Sequence, residues 1–200
     1  MLDEMFRRIQ GYSPQTFEVD PHFPEAAVLM PITRSDTPEL VLTLRASGLS
    51  THGGEVAFPG GRRDPEDRDL IHTALREAEE EIGLPPGLVE VVGPLTALVS
   101  RFGIKVTPYV GFVPDYFDYL PNDAEIAAVF NVPLEFFCDD PREMTHRIDY
   151  QGRSWYVPSY RYGDFKIWGL TAIMVVELVN LLFDADIALH EPPESFIKLR

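Results

Sequence analysis

The octapeptide REAEEEIG, residues 76–83, places Glu77, Glu79, Glu80 and Glu81 at the end of a segment that reads as a helix. Ile71, Ala74, Leu75, Ala78 and Ile82 recur at the spacing of one helix face, and Gly83 with Pro85-Pro86 ends the run. Asp64-Pro65-Glu66-Asp67 reads as the helix start: a capping aspartate, a proline at the first helical position and acids in the first turn. At about 100° per residue, Glu77, Glu80 and Glu81 share one side of this helix, roughly 120° from the apolar stripe. Glu79 falls on the opposite flank. Like charges three or four apart repel by roughly 0.2–0.5 kcal/mol per pair, and the negative end of the helix dipole disfavours acids. A divalent cation relieves both penalties, because Mg²⁺ takes a few carboxylate oxygens together with waters and substrate phosphates. The glycine loop at Gly60-Gly61 offers close-lying carbonyls to complete such a shell. The alternative is a solvated acidic face that tolerates the repulsion.

Composition limits the partners. A net charge of −15 and a pI of about 4.6 keep nucleic acid and anionic membrane surfaces away, since phosphate backbones need a basic field. A polyanionic small molecule can still bind where a cation or local arginines and histidines reverse that field. With 200 residues, no internal repeat and no low-complexity linker, the chain reads as a single domain, 1–200, with one core. The lone cysteine, Cys138, excludes an internal disulfide, fits a reducing cytoplasm and reads as a buried thiol. The start, MLDEMFRRIQ, reads as a short amphipathic helix and lacks the apolar centre of a signal peptide. The apolar stretch 168–183 is interrupted by Glu177 and Asn180 and falls short of the roughly 20 residues a bilayer needs. It reads as a core helix from about Gly169 to Phe183. No membrane association is expected.

Strands are expected at AAVLMPIT (26–33) and ELVLTLRA (39–46), and in GGEVAFPGGRRD (53–64) a strand running into the glycine loop. Further strands follow in 89–100, 105–114 and 124–137, then a hairpin across YQGRS (150–154) and a short strand near FKIW (165–168). Strands in runs with principal helices between and after them describe an α+β, α/β/α arrangement around a mixed sheet. Residues 1–25 form an N-terminal helix and loop, and the tail from 187 is expected to be loosely attached.

Gly61, Arg76, Glu77, Glu80, Glu81, Gly83 and Leu84 resemble the Nudix box, Gly-x5-Glu-x7-Arg-Glu-U-x-Glu-Glu-x-Gly-U with U aliphatic. Ala78 stands at the first U. Asp67 stands where the box has its first Glu, with eight residues rather than seven between it and Arg76. The resemblance implies a Nudix fold with the box helix packed on the sheet. It implies Mg²⁺ or Mn²⁺ held chiefly by Glu77 and Glu81, with Glu80 a further ligand or a base and the Gly61 carbonyl completing the shell. Arg76 would orient the glutamates. Glu125, before a strand beyond the box, matches the place of an extra carboxylate, as ligand or base; a solvated loop glutamate is the alternative. The implied chemistry is metal-assisted attack of water on a diphosphate.

Upstream, VLTLRASGLSTHGGEVAFPGG (41–61) resembles the signature that accompanies the box in coenzyme A pyrophosphatases, through Leu42, Thr43, Arg45, Ala46, Gly54, Phe58, Pro59, Gly60 and Gly61. Ser50 stands where that pattern has its second arginine, and His52 or Arg62 is in position to compensate. Arg45 is the cation best suited to meet a phosphate, because its fork binds two oxygens. His52 reads as a phosphate donor or a loop histidine, Phe58 as an adenine platform or, more simply, core, and Trp168 as channel lining or core. The implied activity is hydrolysis of coenzyme A or an acyl-CoA to 3′,5′-ADP and (acyl-)4′-phosphopantetheine. Ser50 keeps open a Nudix diphosphatase acting on ADP-ribose, dinucleotides or nucleoside triphosphates. A non-catalytic nucleotide-binding regulator is the alternative of another class, and the intact box glutamates argue against it. Nudix enzymes include dimers, so a homodimer is possible, although no segment marks an interface.

Overall fold

Alternate residues of strand β1 (Glu25–Thr33) are buried on opposite faces, and this sets the architecture seen in the computed structural model. The structure describes residues 1–16, 20–48, 53–150 and 152–192. Ala27 and Leu29 pack with Ala74, Ala78 and Ile82 of helix α2 (Leu70–Ile82). Met30 and Ile32 face the other way, into a larger core with helices α1 (Leu2–Gln10) and α3 (Gly169–Phe183). Helices therefore cover both faces of one sheet, the expected α/β/α layering.

The sheet is mixed. β1 runs parallel to β7 (Lys105–Val113) along its whole length, from Glu25↔Lys105 to Thr33↔Val113, and the other pairings are antiparallel. The opposite edge of β1 is shared. Its end pairs with β2 (Glu39–Arg45) at Ile32↔Leu40, and its start pairs with β4 (Gly60–Arg62) at Ala26↔Arg62. β2 also carries β3 (Val56–Ala57) and β8 (Ile126–Pro133). β7 carries β5 (Glu90–Pro94) at one end and β6 (Leu98–Val99) at the other. A second, three-stranded antiparallel sheet of β9 (Arg142–Tyr150), β10 (Arg153–Tyr162) and β11 (Phe165–Ile167) joins the larger core through Val157, Tyr160 and Ile167. The expected YQGRS hairpin is the β9–β10 connection.

The polar residues of α3 have structural work. The Asn180 side chain donates to the Ile187 carbonyl and accepts the Ile187 N–H, both at 2.9 Å. Glu177 accepts from the Tyr12 hydroxyl at 2.7 Å and the Thr96 N–H at 2.9 Å, which ties the N-terminal segment to the helix. The tail, expected to be loose from 187, is instead held through His190: Tyr156 N–H donates to the Leu189 carbonyl at 2.7 Å, and His190 packs edge-on against Trp155. Residues 193–200 lie outside the described residues. Among the described residues no helix is long and apolar enough to cross a membrane.

Helix α2 begins later than its sequence signals suggest. Asp69, not Asp64, is the cap, accepting the His72 N–H at 2.8 Å. Asp64-Pro65-Glu66-Asp67 forms a tight turn closed by Asp67 N–H donating to the Asp64 carbonyl at 3.0 Å. The local capping signals are overridden because Asp67 is drawn inward to Arg76. The apolar stripe is also rotated from expectation: Ile71 is 37% exposed, and Glu81, at 2%, lies on the buried side. Gly83 ends the helix as expected, in the left-handed region at φ 67°, a conformation that costs glycine little.

Candidate active site

Three segments converge at the C-terminal half of α2. The first is β4, whose Gly61 abuts Glu77; a methyl group there would meet the Glu77 carboxylate and displace it from this position. The second is the end of β2, which brings Arg45 to Glu81. The third is the loop before β8. It caps the helix end, Leu120 N–H donating to the Ile82 carbonyl at 3.0 Å and Asn122 N–H to the Glu81 carbonyl at 2.9 Å. The same loop carries Glu125, whose carbonyl accepts the Ala46 N–H at 2.7 Å, one residue past Arg45.

Within this frame Glu81 is buried, its Oε1 accepting from Arg45 at 3.0 Å and its Oε2 from the Gly60 N–H at 3.0 Å. Burial pushes its carboxyl up to about 7 and the neighbouring Glu77 adds to this, against the Gly60 N–H and Arg45. Glu77 is also raised, first by burial, against Arg76, with Glu80 and Glu125 contributing repulsion. The four acids Glu77, Glu80, Glu81 and Glu125 thus act on one another electrostatically at one end of the sheet. Glu80 is more exposed and shares Arg76 with Glu77, at 3.0 and 3.1 Å. Glu79 is exposed and has no ion-pair partner among the described residues.

Arg76 does more than orient glutamates. Its Nε and Nη2 grip both oxygens of Asp67 at 3.0 Å, and Nη2 also donates to the Arg62 carbonyl at 3.1 Å. Asp67 is buried and further bonded by the Thr73 hydroxyl at 2.9 Å, the Asp64 N–H at 2.9 Å and the His72 ring at 2.8 Å. The guanidinium of Arg76, foremost, holds the Asp67 carboxyl well below the usual range, and Asp67 in turn raises Arg76. Asp67 was legible only as a departure from the box. The signal for its role is its sequence distance from Arg76, which lets an aspartate on a turn reach back to the helix.

The donors fit a hard divalent cation: carboxylates at Glu77, Glu80 and Glu81, a backbone carbonyl at Gly61, and a net excess of buried negative charge. No three His, Cys, Asp or Glu side chains among the described residues are already drawn around a single point. Arg45 and Arg76 occupy the carboxylates instead. Arg45 is therefore committed to Glu81 here, rather than pointing unpaired toward a phosphate. Phe58 is 3% exposed and part of the core, with one edge on the cleft. His52 and Ser50 lie outside the described residues. Cys138 is half-buried and its thiol is raised by burial, which suits packing better than nucleophilic attack.

A cleft of about 1180 Å³ opens from this cluster. Arg45, Gly60 and Gly61 line its polar end, and Trp155, Trp168, Ile173 and Met174 line an apolar wall built by the second sheet and α3. Trp168 is therefore at the channel, as one reading of the sequence had it.

Residues 23–148 match the model of the NUDIX domain. The uncharacterized Nudix hydrolase NudL of Yersinia enterocolitica is 41% identical over 188 residues, covering 90% of this chain and 92% of that protein. NudL of Yersinia pestis (strain Pestoides F) is 42% identical over 186 residues, covering 90% and 94%. A MutT/nudix family protein from Enterococcus faecalis has a similar fold, with a TM-score of 0.54 at 14% identity, covering 92% of this chain and 70% of that one.

Proposed function

The chain belongs to the Nudix hydrolase family, and from that premise we propose that it cleaves the diphosphate of coenzyme A or its thioesters, releasing 3′,5′-ADP and (acyl-)4′-phosphopantetheine. The observation that carries this reading is the cleft, which joins a polar end at Arg45, Gly60 and Gly61, the residues that touch Glu77 and Glu81, to a wall of tryptophans and aliphatic side chains. A substrate with a diphosphate at one end and a long, weakly polar arm at the other matches both parts. Of the signature residues, Arg45, Phe58, Gly60 and Gly61 line this cleft.

Nudix enzymes generally use divalent metals. In the proposed reaction Glu77, Glu80, Glu81 and the Gly61 carbonyl would hold Mg²⁺ or Mn²⁺. Such a cation neutralises the diphosphate and acidifies water. Arg76, anchored on Asp67, fixes the Glu77 and Glu80 carboxylates. Arg45, now bonded to Glu81 at 3.0 Å, would be the fork that meets a substrate phosphate. Glu80 and Glu125, more open to solvent than Glu81, are the carboxylates available to take the proton of the attacking water. The wall beyond keeps bulk water from the arm of the substrate.

A product assay tests the reading. Purified protein with Mg²⁺ or Mn²⁺ is given coenzyme A, an acyl-CoA, ADP-ribose and a nucleoside triphosphate in parallel, with products identified by mass. Release of 3′,5′-ADP with faster turnover of the CoA compounds is the expected result. Faster turnover of ADP-ribose or another diphosphate retires the CoA assignment and points to Ser50, where the coenzyme A pattern has arginine, as the reason.

A further inference from the structure

In a chain with 32 acidic and 17 basic residues, an arginine without an acidic partner is conspicuous. Arg7, Arg8, Arg34, Arg45, Arg63, Arg76, Lys105, Arg142, Arg147 and Arg161 each have one. Among the described residues, Arg62, Arg68, Arg101 and Lys166 have no ion pair. Arg62 and Arg101 both line the cleft, whereas their neighbours Arg63 and Lys105 are paired with Glu25 at 3.2 and 3.6 Å. The carboxylates that also line the cleft lie elsewhere: Glu55 sits at the Arg45 end, and Asp149 accepts from Ser154 at 2.6 Å and Arg147 at 3.1 Å.

The β6–β7 turn that carries Arg101 is closed by its own hydrogen bonds. Ser100 N–H donates to the Ile104 carbonyl at 2.8 Å, Gly103 N–H to the Ser100 carbonyl at 2.9 Å, and the Ser100 hydroxyl accepts the N–H groups of Phe102 and Ile104 at 3.3 and 3.2 Å. The Arg101 guanidinium lies 4.7 Å over the ring of Phe102, which restricts its orientation. Strand register places this turn relative to the glutamates. Arg62 pairs with Ala26, Ala26 with Val106, and Val106 with Leu98. Three strand spacings, roughly 14 Å, therefore separate the backbones of Arg62 and Leu98. Arg62 adjoins the glycine loop, and Arg101 stands at the far side of that span.

We infer that Arg62 and Arg101 form a subsite for a second phosphate of the substrate, a phosphomonoester separate from the diphosphate that is cut, with Arg101 as its principal reader. This inference rests on the coenzyme A reading for the identity of the substrate, because coenzyme A carries such a group on its ribose. It goes beyond that reading in assigning the group to Arg101, outside the box and its upstream signature, and to Arg62, a variable position of the box. The Arg101 fork offers a doubly charged terminal phosphate two matching donors, with Arg62 adding positive field from across the cleft, and leaves a singly charged diester under-bonded.

The test is binding without turnover. The full chain in chelator-containing, metal-free buffer is titrated calorimetrically with 3′,5′-ADP and with 5′-AMP. Wild type should prefer 3′,5′-ADP by about tenfold or more, the effect of one charge-assisted contact set. Arg101→Ala should remove most of that preference and Arg62→Ala part of it. Arg68→Ala, an unpaired cation away from the cleft, should retain it. Equal affinity of wild type for the two nucleotides, or equal loss in Arg68→Ala, overturns the inference. Kinetics separate it from the underlying assignment. If coenzyme A is not hydrolysed but the Arg101-dependent preference for 3′,5′-ADP persists, the subsite stands and the coenzyme A reading falls. If coenzyme A and 3′-dephospho-coenzyme A are hydrolysed with equal kcat/KM, and Arg101→Ala leaves that ratio at one, the subsite falls and the coenzyme A reading stands.

Discussion

Two sets of acids lie beside the same helix in opposite electrostatic conditions. Asp67, on the turn before α2, is saturated: both oxygens are gripped by Arg76, with Thr73, His72 and a backbone N–H filling the rest. Its carboxyl is pushed down. Glu77 and Glu81, farther along the helix, are pushed up by burial even though Arg76 and Arg45 touch them. A carboxylate pushed down is one the fold has already neutralised. A pair pushed up by burial and by neighbouring carboxylates still lacks positive charge, which a divalent cation would supply. The contrast separates structural acids from candidate ligands without reference to any motif.

The largest effect that tests this contrast is Glu81→Gln. Turnover should fall by about three orders of magnitude, since the proposed cation would lose a ligand, while the free energy of urea unfolding stays within about 0.5 kcal/mol of wild type at pH 5. Asp67→Ala should do the reverse in kind. Removing one partner of a buried ion pair leaves Arg76 uncompensated, at a cost of about 3 kcal/mol in unfolding free energy. Its turnover, measured well below the melting temperature, should fall far less than that of Glu81→Gln. If Asp67→Ala were as stable as wild type, the hub would not be holding the glycine loop to the helix.

The two acids also predict pH dependences of opposite sign in metal-free protein. Asp67 has a depressed carboxyl, so its stabilising contribution is present above its unfolded value near 4 and is lost as pH falls below that. Glu81 has a raised carboxyl, so folding favours its protonated form. That contribution is present below about 4.5 and is lost as pH rises through about 7, by about 2–3 kcal/mol. Metal-free protein should accordingly be most stable near pH 4–5. Mg²⁺ or Mn²⁺ should recover stability at pH 7–8, and Glu81→Gln should flatten the loss between pH 5 and 7. Unfolding midpoints across pH, with and without cation, check this; a metal-free protein most stable at pH 8 would contradict it.

What could be read in advance followed from local physics. Helix α3 matched its expected bounds because a continuous apolar run admits one end at Gly169 and another before Asp184. Gly83 was legible because only glycine takes that stop cheaply. Long-range pairs were not. Asp64-Pro65 satisfies every local rule for a helix start, yet the start moves to Leu70 because Asp67 finds Arg76 nine residues on. The carboxylate cluster was legible from helical phase, but not the burial of Glu81, which depends on how β2 and β4 meet α2. The second sheet was visible at its turn and in the short strand near FKIW, whereas the charged alternation in REMTHRIDY hides β9. The Arg62 and Arg101 pairing pattern needs the partners of every other cation and so leaves no trace in spacing.

The smallest effect is the sharpest control. Glu79 lies between Glu77 and Glu80 in sequence, carries the same charge and is equally disfavoured by the helix dipole. It differs from Glu80, likewise exposed, in direction: Glu80 pairs with Arg76 at 3.0 Å, and Glu79 has no ion pair among the described residues. Glu79→Gln should change kcat/KM by less than about twofold and unfolding free energy by less than about 0.5 kcal/mol. If general negative charge at the helix end were what the site needs, this substitution and Glu80→Gln would cost the same. If position on the helix face decides, Glu80→Gln costs at least about tenfold in kcat and Glu79→Gln almost nothing. Side-by-side kinetics of the two variants, at several Mg²⁺ concentrations, therefore distinguish a charged surface from a cation site one residue at a time.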